Sequence, residues 1–409
     1  MPGPVSIVLS GLGGYGLCYL EGLLDQPDDG RFRLVAGVDP APQNCKRLAD
    51  LEARRVPVYP SLEEFYRVGR ADLAVLSSPI HQHCRQTCLA LAHGSHVLCE
   101  KPAAATVQDV DRMIRARDEA RKSVAIGYQW SFSTPIQRLK RDILAGEFGA
   151  PRRLRSVCLW PRDEVYYTRN DWAGRQRAAD GSWILDSPVN NAMAHDLHNM
   201  LYLLGPSIDR SAQPVEIVAE LYRANDIENF DTAALRVRTG SGAEVLFYGS
   251  HAIAEDWGPE FCFEFERATV TYVTNREPIV ARFRSGESRT YGGPNDEPQV
   301  TKLWTCLASL SGTATIPCGL EAARAQTICA NGAQESAGAP VDFALALKRV
   351  DGAAPRRLTW VRGLAEALRA CYEAGALPSE LGLDWARAGR CVDLRGYEYF
   401  PGGVCPVTE

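Results

Sequence analysis

Val5-Ser-Ile-Val-Leu-Ser-Gly11-Leu-Gly13-Gly14-Tyr-Gly16 is the stretch that decides the fold of this chain. Its apolar run predicts a buried strand, and the glycines that follow form a G-x-G-x-x-G motif at the start of a helical segment. In such a motif Gly11 permits a tight turn, Gly13 lets the backbone approach a pyrophosphate, and Gly16 lets helix and strand pack closely. The N–H groups at the start of the helix bind phosphate oxygens. The stretch therefore predicts a dinucleotide site.

The surrounding sequence up to about residue 127 alternates short apolar runs with helical segments, as βαβ units with a parallel sheet do. The predicted strands of this sheet are 5–10, 32–38, 71–77, 96–99 and 123–127. A long polar and aromatic stretch follows at 152–186. Beyond it, short turns separate the predicted strands 214–222, 231–239, 243–250, 260–266 and 268–274. Consecutive strands joined by short turns predict an antiparallel sheet.

The predicted fold class is therefore α/β. It combines an N-terminal Rossmann domain, with a doubly wound parallel sheet, and a C-terminal α+β domain with a large, mostly antiparallel open sheet. The length of 409 residues agrees with two domains.

The composition excludes several classes of function. The net charge is only −5, and Lys and Arg are spread along the chain, which argues against a nucleic-acid or membrane partner. No apolar stretch approaches the roughly 20 residues that span a bilayer, and residues 1–9 resemble a first strand rather than a signal peptide, so we expect a cytoplasmic protein. The 13 cysteines form no CxxC pair and predict reduced, buried thiols.

The second predicted strand ends at Asp39, where a dinucleotide would place its ribose. A carboxylate there accepts hydrogen bonds from the ribose diol and repels a 2′-phosphate, by roughly 4 kcal/mol for unit charges 4 Å apart at an effective dielectric of about 20. The spacing from Gly11 is longer than the usual ~20 residues. We predict NAD rather than NADP as the cofactor.

Several segments together resemble the glucose–fructose oxidoreductase/inositol dehydrogenase (Gfo/Idh/MocA) family over nearly the whole chain. They are GLGGYG at 11–16, Val38-Asp39-Pro40, Ser77-Ser-Pro-Ile-His-Gln-His83, Glu100-Lys101-Pro102, Gly127-Tyr-Gln129, the helix near 188–205 and Arg362–Tyr372. The resemblance implies an NAD-dependent sugar or cyclitol dehydrogenase or reductase. With the glycine motif, it implies that the cofactor contacts Gly11, Leu12, Gly13, Gly14, Tyr15, Gly16, Asp39, Ser77, Ser78, Pro79, His83, Glu100, Lys101 and Gln129.

Lys101 is the first candidate catalytic residue. In the Gfo/Idh/MocA family, which the chain resembles, the lysine of the Glu-Lys-Pro element contacts the reacting oxygen of the substrate. Lys101 also directly follows a predicted parallel strand, and ligands bind beyond the carboxyl ends of such strands. An ammonium group there can stabilise a developing alkoxide. A surface lysine in a turn is the alternative.

A second-domain helix is predicted to begin at Ser187-Pro188 and to end before Gly205-Pro206. At about 100° per residue, its apolar side comprises Met193, Leu197, Met200, Leu201 and Leu204, and its polar side comprises Asn191, His195, His198 and Tyr202. His195 resembles the family's catalytic histidine, which suits general acid/base work near neutral pH. Asn191 occupies the family's Asp or Asn position and would orient the substrate or Lys101. A solvated polar face is one alternative. A metal site is another, although we predict no metal.

Candidate substrate-binding residues lie mainly between Trp160 and Gly174, where aromatic, Arg and Asn side chains suit a polyhydroxylated ring; an ordinary interdomain loop is the alternative. The candidates are Tyr128, Arg162, Tyr166, Arg169, Asn170, Trp172, Asp186 and His198. His198 stands where many family members have an acid, and Asp186-Ser-Pro replaces the Gly-Gly entry to the helix, so the resemblance does not fix the substrate.

These observations predict hydride transfer between NAD(H) and a secondary alcohol or ketone of a sugar, a sugar derivative or a cyclitol. One alternative is a redox-neutral enzyme with tightly bound NAD that acts on glycosides by transient oxidation. Another is a catalytically silent protein that senses NAD or sugar, since fold does not fix function. The expected domains are an NAD-binding domain at 1–127, a substrate-binding and dimerisation domain at 128–375 and a C-terminal extension at 376–409. We expect a homo-oligomer, dimer or tetramer, formed through the C-terminal sheet, with a small carbohydrate-like substrate.

Overall fold

The computed structural model describes residues 3–26, 30–274 and 276–402. Its first sheet is parallel and six-stranded, in the order β3-β2-β1-β4-β5-β6. The elements that build this part are β1 (Val5–Ser10), α1 (Gly16–Leu24), β2 (Phe32–Val38), α2 (Leu48–Ala53), β3 (Val58–Tyr59), α3 (Leu62–Val68), β4 (Leu73–Leu76), α4 (His83–Ala92), β5 (His96–Cys99), α5 (Val107–Ala120) and β6 (Val124–Ile126). The predicted Rossmann domain is thereby confirmed.

The apolar runs become strands of this sheet because both faces are covered by helices. Ile7, Val8 and Leu9 of β1 have no exposed surface. Strand β3 and helix α3 were not predicted from the sequence. Ser61 accepts a hydrogen bond from the Glu64 N–H (3.2 Å) and thus caps α3. A serine followed three residues later by glutamate is a helix-start signal that would have found this helix.

The second sheet has ten strands and is mostly antiparallel, as predicted. Its order is β14-β13-β12-β11-β7-β10-β9-β8-β15, and β18 pairs with β8. The strands are β7 (Pro151–Leu159), β8 (Pro214–Arg223), β9 (Thr232–Thr239), β10 (Glu244–Ser250), β11 (Trp257–Phe265), β12 (Ala268–Val273), β13 (Glu277–Phe283), β14 (Ser288–Gly292), β15 (Val341–Asp342) and β18 (Val392–Asp393). Strands β16 (Lys348–Asp351) and β17 (Leu358–Val361) form a separate pair.

The position of β7 corrects the predicted order of this sheet. Residues 152–159 were expected to belong to a polar stretch, but they form a strand between β10 and β11. The consecutive strands β10 and β11 are therefore not neighbours, and β7 runs parallel to β10 and antiparallel to β11.

The remaining helices are α6 (Thr134–Leu144), α7 (Glu164–Thr168), α8 (Ala194–Leu203), α9 (Thr301–Leu310), α10 (Leu320–Ala337) and α11 (Leu364–Ala374). Helix α8 corrects the prediction of a helix from Ser187. The Ser187 hydroxyl accepts from the Asn190 N–H (3.2 Å), but in a turn, and the helix begins only at Ala194. Every residue of α8 except His195 is buried, so its polar side is not a solvated face.

The chain after residue 300 returns to the Rossmann domain. The ring of Trp304 in α9 lies 5.6 Å from that of Phe32, and Asn331 of α10 donates to the Ala105 carbonyl (2.8 Å) and accepts from the Val107 N–H (2.9 Å). The segment expected as a C-terminal extension also returns: the Phe400 N–H donates to Gln108 of α5 (3.0 Å). Residues 403–409 of that extension lie outside the described residues. In the described part of the chain, no helix is long and apolar enough to cross a membrane.

Candidate active site

The glycine loop after β1 has the shape that its sequence predicts. Gly11 has φ +87°, and a Cβ there would lie 2.5 Å from the Ser77 carbonyl oxygen, while a Cβ at Gly16 would lie 1.9 Å from the Gly11 oxygen. At both positions only glycine fits. A Cβ at Gly13, by contrast, would meet no atom within 4 Å. The loop is thus closely packed at Gly11 and Gly16 and open at Gly13, and this open space suits a pyrophosphate.

Asp39 lies at the end of β2, beside this loop. Its carboxylate accepts hydrogen bonds from the Leu12 N–H (2.9 Å) and the Ala41 N–H (2.9 Å). Asp39 is half-buried, so its oxygens retain access to the edge of the sheet. The position fits a partner for a ribose diol.

The other predicted cofactor residues surround the same edge. Ser77, Ser78 and Pro79 are half-buried after β4, and the Tyr15 hydroxyl donates to the Gln129 side chain (3.2 Å). His83 departs from its predicted role, because it is 1% exposed and its two ring nitrogens lie 2.8 Å from the Pro102 oxygen and 2.9 Å from the Ser78 oxygen. It holds two loops together and has no surface for a cofactor.

Glu100 is the centre of a buried ionic cluster. Its carboxylate forms an ion pair with Lys302 of α9 and accepts from the Tyr19 hydroxyl (2.5 Å) and the Lys101 N–H (3.1 Å). Lys302 also donates to the Tyr15 hydroxyl (3.0 Å). A Cβ at Gly127 would lie 2.7 Å from Glu100 Oε1, so the glycine leaves room for the carboxylate. Lys302 was not among the residues predicted from the sequence.

Lys101 is joined to the second domain by a chain of hydrogen bonds. Its ammonium donates to the backbone oxygen of Asn191 (2.7 Å) and to the side-chain oxygen of Asn191 (3.2 Å). The Asn191 amide N–H donates to Asp186 (2.7 Å), which also accepts from the Gly174 N–H (2.6 Å). Because the amide nitrogen of Asn191 donates to Asp186, the amide oxygen of Asn191 faces Lys101.

The ionisation of this group reflects its burial. Burial lowers the pKa of Lys101 to about 8, with the charge of Lys302 adding to the effect and Glu100 opposing it. Burial raises the pKa of Asp186, which is 2% exposed, while the Gly174 N–H and the charge of Arg169 oppose the rise.

His195 follows Asn191 by four residues and is half-buried. Its ring packs edge-on against Tyr128, with centroids 5.7 Å apart, and its Nδ1 is buried without a partner among the described residues. Burial lowers the pKa of His195 well below its usual range, and the charges of Lys101 and Lys302 lower it further. The imidazole is therefore neutral at pH 7 and able to accept a proton.

Tyr128 and His198 were expected to touch the substrate, and their burial corrects that expectation. Tyr128 has no exposed surface, and its hydroxyl donates to Gln326 (2.8 Å). His198 is 1% exposed and stacks on Tyr128 at 3.8 Å, and its Nε2 lies 2.9 Å from the Ser131 hydroxyl. Both rings belong to the core behind His195. Within the described ranges, no group of three or more His, Cys, Asp or Glu side chains could hold a metal ion.

The aromatic segment before the site is built around Tyr166. The guanidinium carbons of Arg162 and Arg169 lie 4.9 and 3.7 Å from the centroid of its ring, and Arg169 also lies 5.3 Å from the Trp172 ring. The Asn170 side chain accepts from two backbone N–H groups, of Trp172 (3.2 Å) and Ala173 (2.8 Å). Asn170 therefore shapes the local turn.

A Rossmann domain with a lysine at its carboxyl edge, next to an asparagine and a histidine from a second α+β domain, is typical of a dinucleotide-dependent oxidoreductase. Residues 5–128 match the oxidoreductase family model with an NAD-binding Rossmann fold, and residues 136–271 match the GFO/IDH/MocA C-terminal domain. The chain belongs to the GFO/IDH/MocA family. This confirms the predicted family and its NAD-binding domain.

The sequence identity to individual relatives is low, and each match covers only part of the chain. A 1-carboxy-3-chloro-3,4-dihydroxycyclohexa-1,5-diene dehydrogenase from Comamonas testosteroni is 32% identical over 130 residues, which is 32% of this chain and 32% of that protein. An inositol 2-dehydrogenase from Klebsiella pneumoniae is 26% identical over 172 residues, 42% of this chain and 46% of that protein. The matches thus span less than half the length of these two relatives.

Among solved structures, the WlbA dehydrogenase from Bordetella pertussis, in complex with NADH and UDP-GlcNAcA, is similar with a TM-score of 0.66. It is 22% identical, and the match covers 80% of this chain and 94% of that one. At this identity the likeness shows the shared fold.

Proposed function

We propose that this protein uses NAD(H) to oxidise a secondary alcohol on a sugar, a sugar derivative or a cyclitol, or to reduce the corresponding ketone. The observation that carries the proposal is the network of Lys101, Asn191 and Asp186 beside His195, whose buried Nδ1 has no hydrogen-bond partner in the described part of the chain. Membership of an oxidoreductase family and the resemblance to an inositol 2-dehydrogenase support it.

The residues at the edge of the first sheet fit NAD. The open space at Gly13 suits the pyrophosphate, Asp39 suits the ribose diol, and the Tyr15 hydroxyl connects Gln129 with Lys302, the partner of Glu100. NAD would supply the hydride acceptor in the oxidation, and NADH the hydride donor in the reverse reaction.

Lys101 would bind the reacting oxygen. An ammonium group has three N–H donors, and two of those of Lys101 are directed to Asn191, which leaves one for a substrate oxygen. Because Asn191 is itself held by Asp186, the ammonium is fixed before the substrate arrives. A fixed positive charge stabilises the alkoxide character that develops as hydride leaves the carbon.

His195 would take the hydroxyl proton. Its low pKa keeps the ring neutral, and its Nδ1 is buried without a hydrogen-bond partner among the described residues. In the oxidation, the O–H proton passes to the imidazole while the C–H hydride leaves the same carbon. Such general base catalysis typically contributes about 10²–10⁴ in rate.

The test is a screen of sugars and cyclitols with NAD, read by the absorbance of reduced nicotinamide. We expect turnover with at least one polyol, and a loss of about 10²–10⁴ in kcat for His195→Asn. His96→Asn is the matched control, since His96 is a half-buried histidine at the opposite end of β5 from Lys101. Substrate consumption without net NADH would indicate redox-neutral chemistry instead. Saturable NADH binding with no turnover at all would indicate a regulatory protein.

A further inference from the structure

We propose that the substrate carries an oxyanion, a carboxylate or a phosphate, which binds to Arg162 and Arg169 over the ring of Tyr166. This inference rests on the proposed function, whose site it extends. It assigns a charge to the substrate that neither the family nor the catalytic residues specify.

Neither arginine has an acidic partner among the described residues, although Arg162 is half-buried. Arg162 donates to the Pro161 carbonyl (3.1 Å), and Arg169 donates to the Tyr166 carbonyl. The Nε of Arg162 is buried and has no hydrogen-bond partner among residues 3–26, 30–274 and 276–402.

Three neighbouring acids, Asp163, Glu164 and Asp186, are already engaged elsewhere. Asp163 accepts from the Tyr166 N–H (3.2 Å) at the start of α7, and Glu164 pairs with Arg357 (2.6 Å). Asp186 is held by Gly174 and Asn191 through both of its oxygens. None of these three carboxylates therefore pairs with Arg162 or Arg169.

The arginines adjoin the proposed catalytic group. The Gly174 N–H, at the end of the segment that carries the arginines, donates to Asp186 (2.6 Å), which binds Asn191 and through it Lys101. The charge of Arg169 accordingly acts to lower the pKa of both Lys101 and Asp186. Around Tyr166 and Lys101 the two guanidinium groups add to the charge of Lys101, whereas Glu100 is already paired with Lys302 and Asp186 accepts from two N–H donors. This excess of positive charge favours an anionic ligand.

Two buried polar groups beside Tyr166 also lack partners. The ring of His251 is 5.5 Å from that of Tyr166, and the residue is 2% exposed. Its Nδ1 lies 2.8 Å from the Trp160 carbonyl, so Nδ1 carries the hydrogen and Nε2, which has no partner, is left as an acceptor. The Tyr167 hydroxyl is likewise buried without a partner. Buried polar atoms in native proteins are nearly always satisfied, and a hydroxylated ligand would satisfy these.

Guanidinium groups suit this role because their planar donors match the oxygens of carboxylate and phosphate. Tyr166 orients both of them by stacking, which reduces the freedom that binding must remove. A neutral sugar would leave the two cations unpaired. We therefore expect an acidic sugar to bind about 10- to 100-fold more tightly than its neutral counterpart.

The experiment compares matched sugars by calorimetry on the NADH-loaded protein. Each series contains a neutral hexose, its uronate and its phosphate ester at the same carbon, in the gluco, galacto and manno configurations. We expect at least one charged sugar to bind about tenfold or more tightly than its neutral partner. Comparison of the uronate with the phosphate distinguishes the two oxyanions.

The variants Arg169→Gln and Arg162→Gln/Arg169→Gln should lose the preference for the charged sugar and keep the binding of the neutral one. Arg169 is exposed, so the single variant should fold even where the double variant does not. Arg177→Gln is the matched control, because Arg177 stacks on Trp183 (3.3 Å) in the same segment and should retain the preference. Unchanged NADH affinity would show that the cofactor domain is intact.

Two results would overturn the proposal: no charged sugar binding better than its neutral partner in any series, or a double variant that keeps the preference. Either can occur while neutral polyols are oxidised, in which case the proposed function survives alone. If charged sugars bind through the arginines but no sugar reduces NAD, the proposed function fails and the oxyanion site stands.

Discussion

Lys302 and Glu100 form an ion pair inside the protein, where their side chains are 1% and 9% exposed. The pair joins α9, which follows β14, to the residue that precedes Lys101. Glu100 also accepts hydrogen bonds from the Tyr19 hydroxyl and from the Lys101 N–H. The backbone of the proposed catalytic lysine is therefore held by a contact between the two domains.

Removal of one member of this pair should lower the free energy of unfolding. Lys302→Met leaves the carboxylate of Glu100 buried without its counter-charge, and we expect a loss of about 3–5 kcal/mol in the free energy of unfolding, measured by urea denaturation. Lys46→Met, at an exposed lysine, should have little effect. The double variant Lys302→Met/Glu100→Gln should recover much of the loss. A single variant as stable as the wild type would show that the pair contributes nothing.

The glycine loop predicts different outcomes for two alanine substitutions. Gly16→Ala places a Cβ 1.9 Å from a backbone oxygen and should lower Tm or prevent folding. Gly13→Ala meets no atom within 4 Å and should leave Tm unchanged, but its methyl group should weaken NADH binding at least about tenfold in a fluorescence titration. Wild-type NADH affinity in Gly13→Ala would place the pyrophosphate elsewhere.

Asp39 should determine the choice between NAD and NADP. Asp39→Ser removes the charge that repels a 2′-phosphate, and the ratio of the Kd values for NADPH and NADH should fall about 10- to 100-fold. Glu52→Ser, at an exposed acid on α2, is the control for net charge. If the wild type binds NADPH as tightly as NADH, Asp39 does not discriminate between them.

The activity should depend on pH through Lys101 and His195. With a pKa of about 8, Lys101 loses its proton above that pH, so kcat/KM for alcohol oxidation should fall on the alkaline side near pH 8. Because the pKa of His195 is lowered, the fall on the acidic side should lie below pH 6.5. Lys101→Arg, if active, should lose the alkaline fall, since arginine stays protonated. An alkaline fall that persists in Lys101→Arg would assign it to another group.

The sequence predicted those parts of the fold that depend on neighbouring residues. Gly11, Gly13 and Gly16 act within one turn, and the apolar runs of β1 and β2 show their burial directly. Strand β7 was missed because Arg153 and Arg155 interrupt its pattern. Arg153 pairs with Glu244 (2.8 Å) and Arg155 with Glu264 (2.7 Å), on the two flanking strands. Those partners are known only once the sheet is assembled.

In the candidate site, too, residues marked by local motifs were predicted, whereas contacts between distant residues were not. The motif around Lys101 and the spacing of Asn191 and His195 directed attention to three residues that the structure brings near one another, and their catalytic roles stay predictions. The burial of His198 was not predictable, because helical spacing shows which residues share a side but not what covers that side. Lys302 was missed because its partner Glu100 is distant in sequence and no local motif marks the pair.

The return of the chain to the Rossmann domain after residue 300 has a consequence for folding. A fragment that ended at residue 128 would lack Lys302 for Glu100, Asn331 for the backbone at Ala105 and Val107, and the Cys318 oxygen that accepts from the Ile126 N–H of β6. Its nucleotide-binding half would be left with an unneutralised charge and unsatisfied backbone groups. The change of sequence pattern near residue 128 therefore does not separate two independently folding units. We expect the two halves to unfold in a single thermal transition.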